Sequence, residues 1–257
     1  MVGKIKKFLS EKSLYALLIV FGYCPMLVAQ EKLNFEFSFL TEEDGLSNNR
    51  ILCMMRDRDG FMWIGTIDGL NRYDGKHFTV FKVNHKDSTT LASNAVHSLC
   101  EDKEGNIWVA TDDGIGYYDK KLGKFQNYKE QGGQKLARCY IVICDKKGDI
   151  WFAGELGLYH LSMQTKKITS LFYNTTTKNS ISSDDIFSLK EYPQENSLWI
   201  ATSTGLNYLD IKSNKFYNIR NNPAKLPYLN GHEINKFTID NDKLIFADFT
   251  QSKIVVT

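Results

Sequence analysis

The sequence has no excess of either charge: 32 lysines and arginines face 30 aspartates and glutamates, for a net +2 over 257 residues. The small surplus sits at the start, where the first 29 residues carry four lysines and one glutamate, so the remainder has a net charge of −1. No basic surface predicts nucleic acid as a partner, and no acidic block marks a solvating tail. Apolar stripes at helical spacing are absent, which excludes a helical solenoid. No second long apolar run follows the first 29 residues, and no kinase region, phosphoacceptor domain or DNA-binding helix pair follows either. Five cysteines are few for a disulfide scaffold, and none shows metal-ligand spacing. With 42% apolar and 24% charged residues, the chain has the composition of an ordinary globular protein.

What is present is repetition. Asp57 to Asp74 reads DRDGFMWIGTIDGLNRYD, and Asp102 to Asp119 repeats it as DKEGNIWVATDDGIGYYD. Asp145 opens a third copy, DKKGDIWFAGELGLYHL, and Glu195 a looser fourth, ENSLWIATSTGLNYLD. Trp63, Trp108, Trp151 and Trp199 fall at intervals of 45, 43 and 48 residues. Self-similarity at this period means a repeat architecture. Within the first unit, Asn49–Arg56, Phe61–Thr66, Leu70–Asp74 and His77–Lys82 read as four short strands. Between them lie turns marked by Gly60, Gly69 and Asp74-Gly75. Four strands in about 45 residues are the arithmetic of a propeller blade. The fold class is therefore all-β: four full four-stranded blades and a partial fifth, without a tryptophan, that breaks off near its third strand.

The interblade segments Asn84–Ser93, Asn127–Lys135 and Asn174–Ser183 read as joints of steady length. Each leads to an apolar residue (Leu91, Leu136, Ile181) that, with Leu46, recurs every 45 residues. Phe35–Leu40 reads as an orphan strand able to complete the fifth blade from the other end of the chain, giving a five-bladed ring. The alternative, a truncated arc of a larger ring, is favoured.

Lys4, Lys6 and Lys7, then Leu14–Phe21, then Met26–Gln30 follow the order of a secretory signal, with cleavage near Ala29. The apolar run is shorter than the ~20 residues that cross a bilayer. Residues 1–29 are thus expected to be a signal peptide and 30–257 the propeller, periplasmic, with no membrane span in the mature chain. An uncleaved anchor is the alternative.

The four later cysteines are expected to be unpaired. Cys100 and Cys144 sit before their tryptophans where the first copy has Met55, and Cys139 takes the place of Val96 and Ile51. That is the behaviour of a small buried hydrophobe.

The pattern GLSNNRI…DRDGFMWIGTIDGLNRYDG…FTVF resembles the two-component regulator propeller repeat, over roughly residues 35 to 220. The resemblance implies the periplasmic sensor region of a bacterial hybrid two-component protein. Such propellers usually have seven blades, sense oligosaccharides from polysaccharide breakdown, and signal across the membrane to a histidine kinase. The Asp-x-x-Gly-x-x-Trp turns also look like sialidase Asp boxes, which are structural. Asp57-x-Asp59-Gly60 lacks the further acids of a calcium loop. Arg50, Arg56, Arg72 and Arg138 recur at no common position, which argues against a sialidase-like arginine cluster. His85, His97, His160 and His232 lack ligand spacing. No catalytic residue, metal ligand or cofactor is expected, and the chain is read as a non-enzyme.

A meander places the second-to-third-strand turn and the interblade loop at one end of every blade. That end collects Asp68, Asp112, Asp113 and Glu155 from the turns, with Asn94, His97 and Arg138 from the loops. Carboxylates and amides together suit sugar hydroxyls, which need donors and acceptors. The expected function is ligand sensing, with an oligosaccharide ligand, a protein partner or self-association, and no nucleic acid. The alternatives are a remnant without independent function and an exported propeller enzyme such as a lyase or glycosidase.

Overall fold

The computed structural model describes residues 37–257 except 193, 230, 232, 233, 235, 241, 242, 249–252 and 257. The expected signal peptide, residues 1–29, lies outside the described residues, as do Phe35 and His232. Among the described residues, no helix is long and apolar enough to cross a membrane.

Each repeat forms an antiparallel meander whose strands are hydrogen-bonded in chain order. Blade 1 is Ile51–Arg56, Met62–Thr66, Gly69–Tyr73 and Phe78–Phe81. Blade 2 is Val96–Glu101, Ile107–Thr111, Gly114–Asp119 and Lys124–Tyr128. Blade 3 is Cys139–Cys144, Ile150–Gly154, Gly157–Leu161 and Ile168–Leu171. Blade 4 is Ile186–Tyr192, Ser197–Thr202, Gly205–Asp210 and Lys215–Tyr217. Blade 5 has three strands, Phe237–Asp240, Lys243–Asp248 and Lys253–Val256. Phe37–Leu40 belong to no strand, so this part of the orphan strand expected at Phe35–Leu40 does not complete blade 5.

The second strands are nearly all apolar and run through the middle of each meander, where most of their residues are buried. Met62–Thr66 and Ile107–Thr111 are buried almost throughout. The core is a series of clusters between consecutive blades, and each tryptophan reaches into the next blade. Trp63 packs with Tyr118 and Phe125 of blade 2, and Trp108 with Val142 and Leu161 of blade 3. Trp151 packs with Leu189 and Phe216 of blade 4, and Trp199 with Leu244 and Phe246 of blade 5. The first strands of consecutive blades also lie against one another.

The Asp turn holds each tryptophan in place. The carboxylate of Asp57 accepts the Trp63 indole Nε1–H at 2.8 Å and the Phe61 amide at 2.9 Å. Asp102 accepts Trp108 at 2.9 Å, and Asp145 accepts Trp151 at 3.0 Å. The turn then needs a left-handed residue three places before the tryptophan. Gly60, Gly105 and Gly148 supply it at φ +94, +89 and +97, and in blade 4 Asn196 does so at φ +51. Asparagine is among the few side chains that tolerate that region. Blade 4 departs further, because Tyr192 stands where the other blades have the aspartate. Trp63, Trp108 and Trp151 are 0%, 0% and 3% exposed, whereas Trp199 is only half-buried.

The register revises two sequence equivalences. Met55, Cys100 and Ile143 pair with the tryptophans, so Cys144 stands one place further along than Cys100. Cys139 does occupy the place of Ile51 and Val96. Cys53, Cys100, Cys139 and Cys144 are free thiols, and burial raises Cys53 and Cys139 to about 12. The interblade segments are not uniform either. Asn84–Ser93 and Asn174–Ser183 are irregular loops, but between blades 2 and 3 a short hairpin pairs Glu130–Gln131 with Gln134–Lys135. The stretch from Leu136 to Cys139 is two residues shorter than that from Leu91 to Val96.

Candidate functional site

The first strand of each full blade begins with the same irregularity. Its register shifts between Ile51 and Cys53, Val96 and Ser98, Cys139 and Ile141, and Ile186 and Ser188. A bulge of this kind bends the strand and re-aims one side chain. The residues at the bulge are Leu52, His97, Tyr140 and Phe187, all at the loop end of the blade. The bulge therefore puts His97 beside the Asp112 turn and Tyr140 beside the Glu155 turn.

Four of the seven expected site residues are joined in one chain across blades 2 and 3. His97 Nε2 lies 2.7 Å from Asp112 Oδ1, which also forms an ion pair with Arg138 Nε at 2.7 Å. Arg138 Nη1 reaches Glu155 Oε1 at 3.3 Å, and the Tyr140 hydroxyl donates to the same oxygen at 3.2 Å. The His97 and Tyr140 rings meet edge to face at 5.3 Å. Arg138 is held above its usual value, first by its contact with Tyr140 and then by the charges of Asp112, Tyr140 and Glu155. The result is a half-exposed row of alternating donors and acceptors.

The other three residues lie apart from this chain. Asp68 accepts from Asn94 Nδ2 at 3.0 Å and pairs with Lys82 at 2.5 Å, while Asn94 Oδ1 takes the Val83 amide at 2.8 Å. Asp113 sits between Lys129 and Lys135, each at 2.9 Å. Burial pushes its carboxyl up, but the two lysines together outweigh that and hold it below the usual range.

Two features were missed in the sequence. Tyr140 was passed over, although Cys139 taking Val96's place already put Tyr140 in that of His97. Arg50 and Arg138 are also equivalent after all. Each precedes the bulged strand, and each offers its carbonyl to the first turn residue, Ile67 at 3.2 Å and Glu155 at 3.1 Å. The shorter lead into blade 3 hid that match. Only two of the four arginines coincide, and Ile67 gives Arg50 no acid opposite it.

Among the described residues, Asp145, Asp149 and His160 come close enough to suggest metal ligands. Their lone pairs are already engaged. Asp145 takes the Trp151 indole and three backbone N–H groups, Asp149 takes the Met163 amide at 2.8 Å, and His160 Nε2 lies 3.1 Å from Asp149. The group reads as a braced turn.

Comparisons with known proteins bear on the repeats and the fold. Residues 45–68 and 90–113 match the family described as "Two component regulator propeller". A stretch of 74 residues, 29% of this chain, is 35% identical to part of "Histidine kinase P4" from Formosa agariphila, covering 5% of that protein. Among solved structures, the extracellular domain of a hybrid two component system from B. thetaiotaomicron aligns with a TM-score of 0.55 and 21% identity, over 83% of this chain and 36% of that one. The extracellular domain of a one component system from the same organism aligns with a TM-score of 0.65 and 17% identity, over 87% of this chain and 33% of that one. Virginiamycin B lyase from Staphylococcus aureus aligns at 0.58 with 15% identity, over 87% of this chain and 73% of the lyase. At these identities the structural likeness is one of fold, and this chain spans about a third of either extracellular domain. The chain is a β-propeller protein, and its residues 45–68 and 90–113, in blades 1 and 2, are similar to two-component regulator propeller repeats.

Proposed function

We propose that the chain is a ligand-sensing propeller module of a hybrid two-component sensor, and that it recognises an oligosaccharide at the loop end of blades 2 and 3. Export by residues 1–29 to the periplasm, and a histidine kinase as the downstream partner, belong to the same proposal. The observation that carries it is the row His97–Asp112–Arg138–Glu155–Tyr140. Two acids, a guanidinium, an imidazole and a phenol alternate there at hydrogen-bonding distance without being buried. A sugar hydroxyl donates and accepts at once, so it can insert beside such a row and keep every group paired. Asp68, Asn94 and Asp113 flank the row as secondary contacts.

An exported lyase or glycosidase is the competing reading, and the likeness to virginiamycin B lyase concerns the fold. In this chain both acids of the row are tied to Arg138, an arrangement that favours binding over proton transfer. The test uses the full chain with cello-, malto-, laminari- and xylo-tetraose, following binding by calorimetry and product release by chromatography. Binding that weakens at least tenfold in Asp112→Asn and Arg138→Ala supports the reading. Product release, or binding indifferent to both changes, overturns it.

A further inference from the structure

One pair of positions recurs at the loop end of blades 1 to 3: the residue before the turn glycine, and the residue just after the fourth strand. The pairings Leu70 with Phe81, Ile115 with Tyr128, and Leu158 with Leu171 fix the equivalence. In blade 1 the pair is Asp68 and Lys82, an ion pair at 2.5 Å; in blade 2 it is Asp113 and Lys129, at 2.9 Å. Blade 3 puts Leu156 and Phe172 in these places, 49% and 44% exposed. Two charged caps are thus replaced by two apolar side chains left facing outward.

A cavity of about 570 Å³ opens at this spot, lined by Leu156, Phe172, Tyr159, Glu155, Lys135 and Asp184 among others. That volume lies within the ~300–1,000 Å³ typical of small-molecule sites. Its other wall is the 130–135 hairpin, which the joints leading into blades 2 and 4 lack. The hairpin is tied to blade 3 through Gln131. Its amide donates to the Ile168 carbonyl at 2.8 Å and accepts from the Ser170 hydroxyl at 3.0 Å. Phe172 is set as part of the wall. Tyr159 meets it edge on at 5.6 Å, and a Cβ on Gly157 would come within 2.8 Å of its ring.

Two of the three rim charges have a counter-charge, and the third, Asp184, is held by a backbone amide. Glu155 is engaged with Arg138 and Tyr140, Lys135 with Asp113, and Asp184 with the Tyr173 amide at 2.7 Å. An anionic ligand would find the cation of the rim, Lys135, already paired with Asp113. What the rim offers is spare lone pairs and N–H donors around an apolar floor.

We propose that this cavity is a subsite for one uncharged pyranose unit. Its C–H face would rest on Phe172 and Leu156, with its hydroxyls turned to Glu155, Lys135 and Asp184. The proposal rests on the reading that the loop end binds oligosaccharides, and it adds where a unit sits and why the unit is neutral. Glu155 belongs both to the cavity and to the polar row, so the two would hold adjacent units of one chain.

The test compares the full wild-type chain with Leu156→Asp/Phe172→Lys, which writes the blade 1 ion pair into blade 3, and with Phe172→Ala alone. The probes are the four neutral tetraoses above and trigalacturonate as a charged counterpart. The expected result is neutral binding that weakens at least tenfold in both variants, with the thermal midpoint of the double variant close to wild type. Phe172→Ala carries the test if the double variant does not fold. Neutral binding sensitive to Asp112→Asn but indifferent to both Phe172 variants overturns the subsite and leaves the sensing reading standing. Binding of trigalacturonate alone overturns the neutral-ligand inference. Absence of binding by every probe overturns the oligosaccharide reading and this inference with it.

Discussion

At the turn end of blades 1 to 3, Asp57, Asp102 and Asp145 are buried, and each holds an indole and one or more backbone amides. At the loop end, Asp68, Asp112 and Asp113 are partly exposed and face lysine, arginine or histidine. One residue type serves two purposes, and its neighbours decide which. A buried carboxylate saturated by donors of its own turn fixes local geometry and has little left for a ligand. A carboxylate that shares a mobile cationic side chain can exchange that partner. Blade 4 is the internal control: it lacks the turn aspartate, and its Trp199 is half-buried, packed against the blade 5 cluster and bordering a cavity.

Breaking the turn end should therefore be costly and leave the loop end intact. Asp102→Ala removes the acceptor of the Trp108 indole, the Asn106 amide and the Asn106 side chain, in a turn where Asp102 and Trp108 are buried and Asn106 is half-buried. Stranding these donors should lower stability by about 3 kcal/mol. The expected outcome is a lower urea midpoint with oligosaccharide affinity retained by the folded fraction; a midpoint within experimental error of wild type would remove the structural role of the turn acid.

The next largest effect strikes the loop end through its backbone. A Cβ on Gly154 would lie 1.9 Å from the Arg138 carbonyl oxygen, so Gly154→Ala must push Arg138 away from the turn. A loss of about 2 kcal/mol is expected. Affinity should fall with it, since Arg138 bridges Asp112 and Glu155. Unlike Asp102→Ala, this change should impair stability and binding together, and a Gly154→Ala protein that binds normally would contradict the bridging role.

The turn end was legible in the sequence because its chemistry is local. Asp, Gly and Trp lie within seven residues of one another, so the motif repeats whole and the blades can be counted from it. The loop end is assembled from segments a strand or an interblade loop apart, and only part of it could be read. Glu155 and Arg138 are among the expected residues; Tyr140 is marked only by its equivalence to His97, and the bulge that turns it outward leaves no residue signature of its own. The equivalence of Arg50 and Arg138 was masked by two missing residues before blade 3. The cavity beside Phe172 depends on register across two strand pairs and on the hairpin, none of which Leu156 and Phe172 reveal as residues in the sequence.

A smaller effect separates the two ends by pH. Lys120 Nζ of blade 2 reaches Asp57 and Asp59 at 2.8 Å and Glu101 at 3.3 Å, clasping blade 1 at its turn end. Burial raises the Asp57 carboxyl, but Lys120, Trp63 and the Phe61 amide outweigh it, and the net value is lowered. A lowered carboxylate contributes stability above its unfolded value of about 3.9, and that contribution is lost as pH falls through the folded value. Lys120 is displaced the other way: burial lowers it, its three acids raise it further, and its contribution is lost as pH rises through the folded value. Lys120→Met should cost about 1 kcal/mol at neutral pH and flatten both arms of the stability profile. Asp113, lowered by Lys129 and Lys135, keeps part of the acid arm in place. An acid arm of unchanged slope in Lys120→Met would mean that Asp57 does not depend on the clasp.

The smallest effect is expected where blade 1 shows what blade 3 has given up. Asp68 and Lys82 form a close pair, but both side chains are 43% exposed, and water and salt screen such a pair. Lys82→Ala should therefore change stability by about 0.5 kcal/mol or less, with the difference vanishing at high salt, and should move oligosaccharide affinity far less than Asp112→Asn does, because Asp68 is a secondary contact. The pair then works as a cap that closes the blade 1 end, which explains how blade 3 can replace it with Leu156 and Phe172 without losing its fold. A loss several times larger in Lys82→Ala would mean that the ion pair is structural, and the exchange in blade 3 would then need a compensating contact elsewhere in that blade.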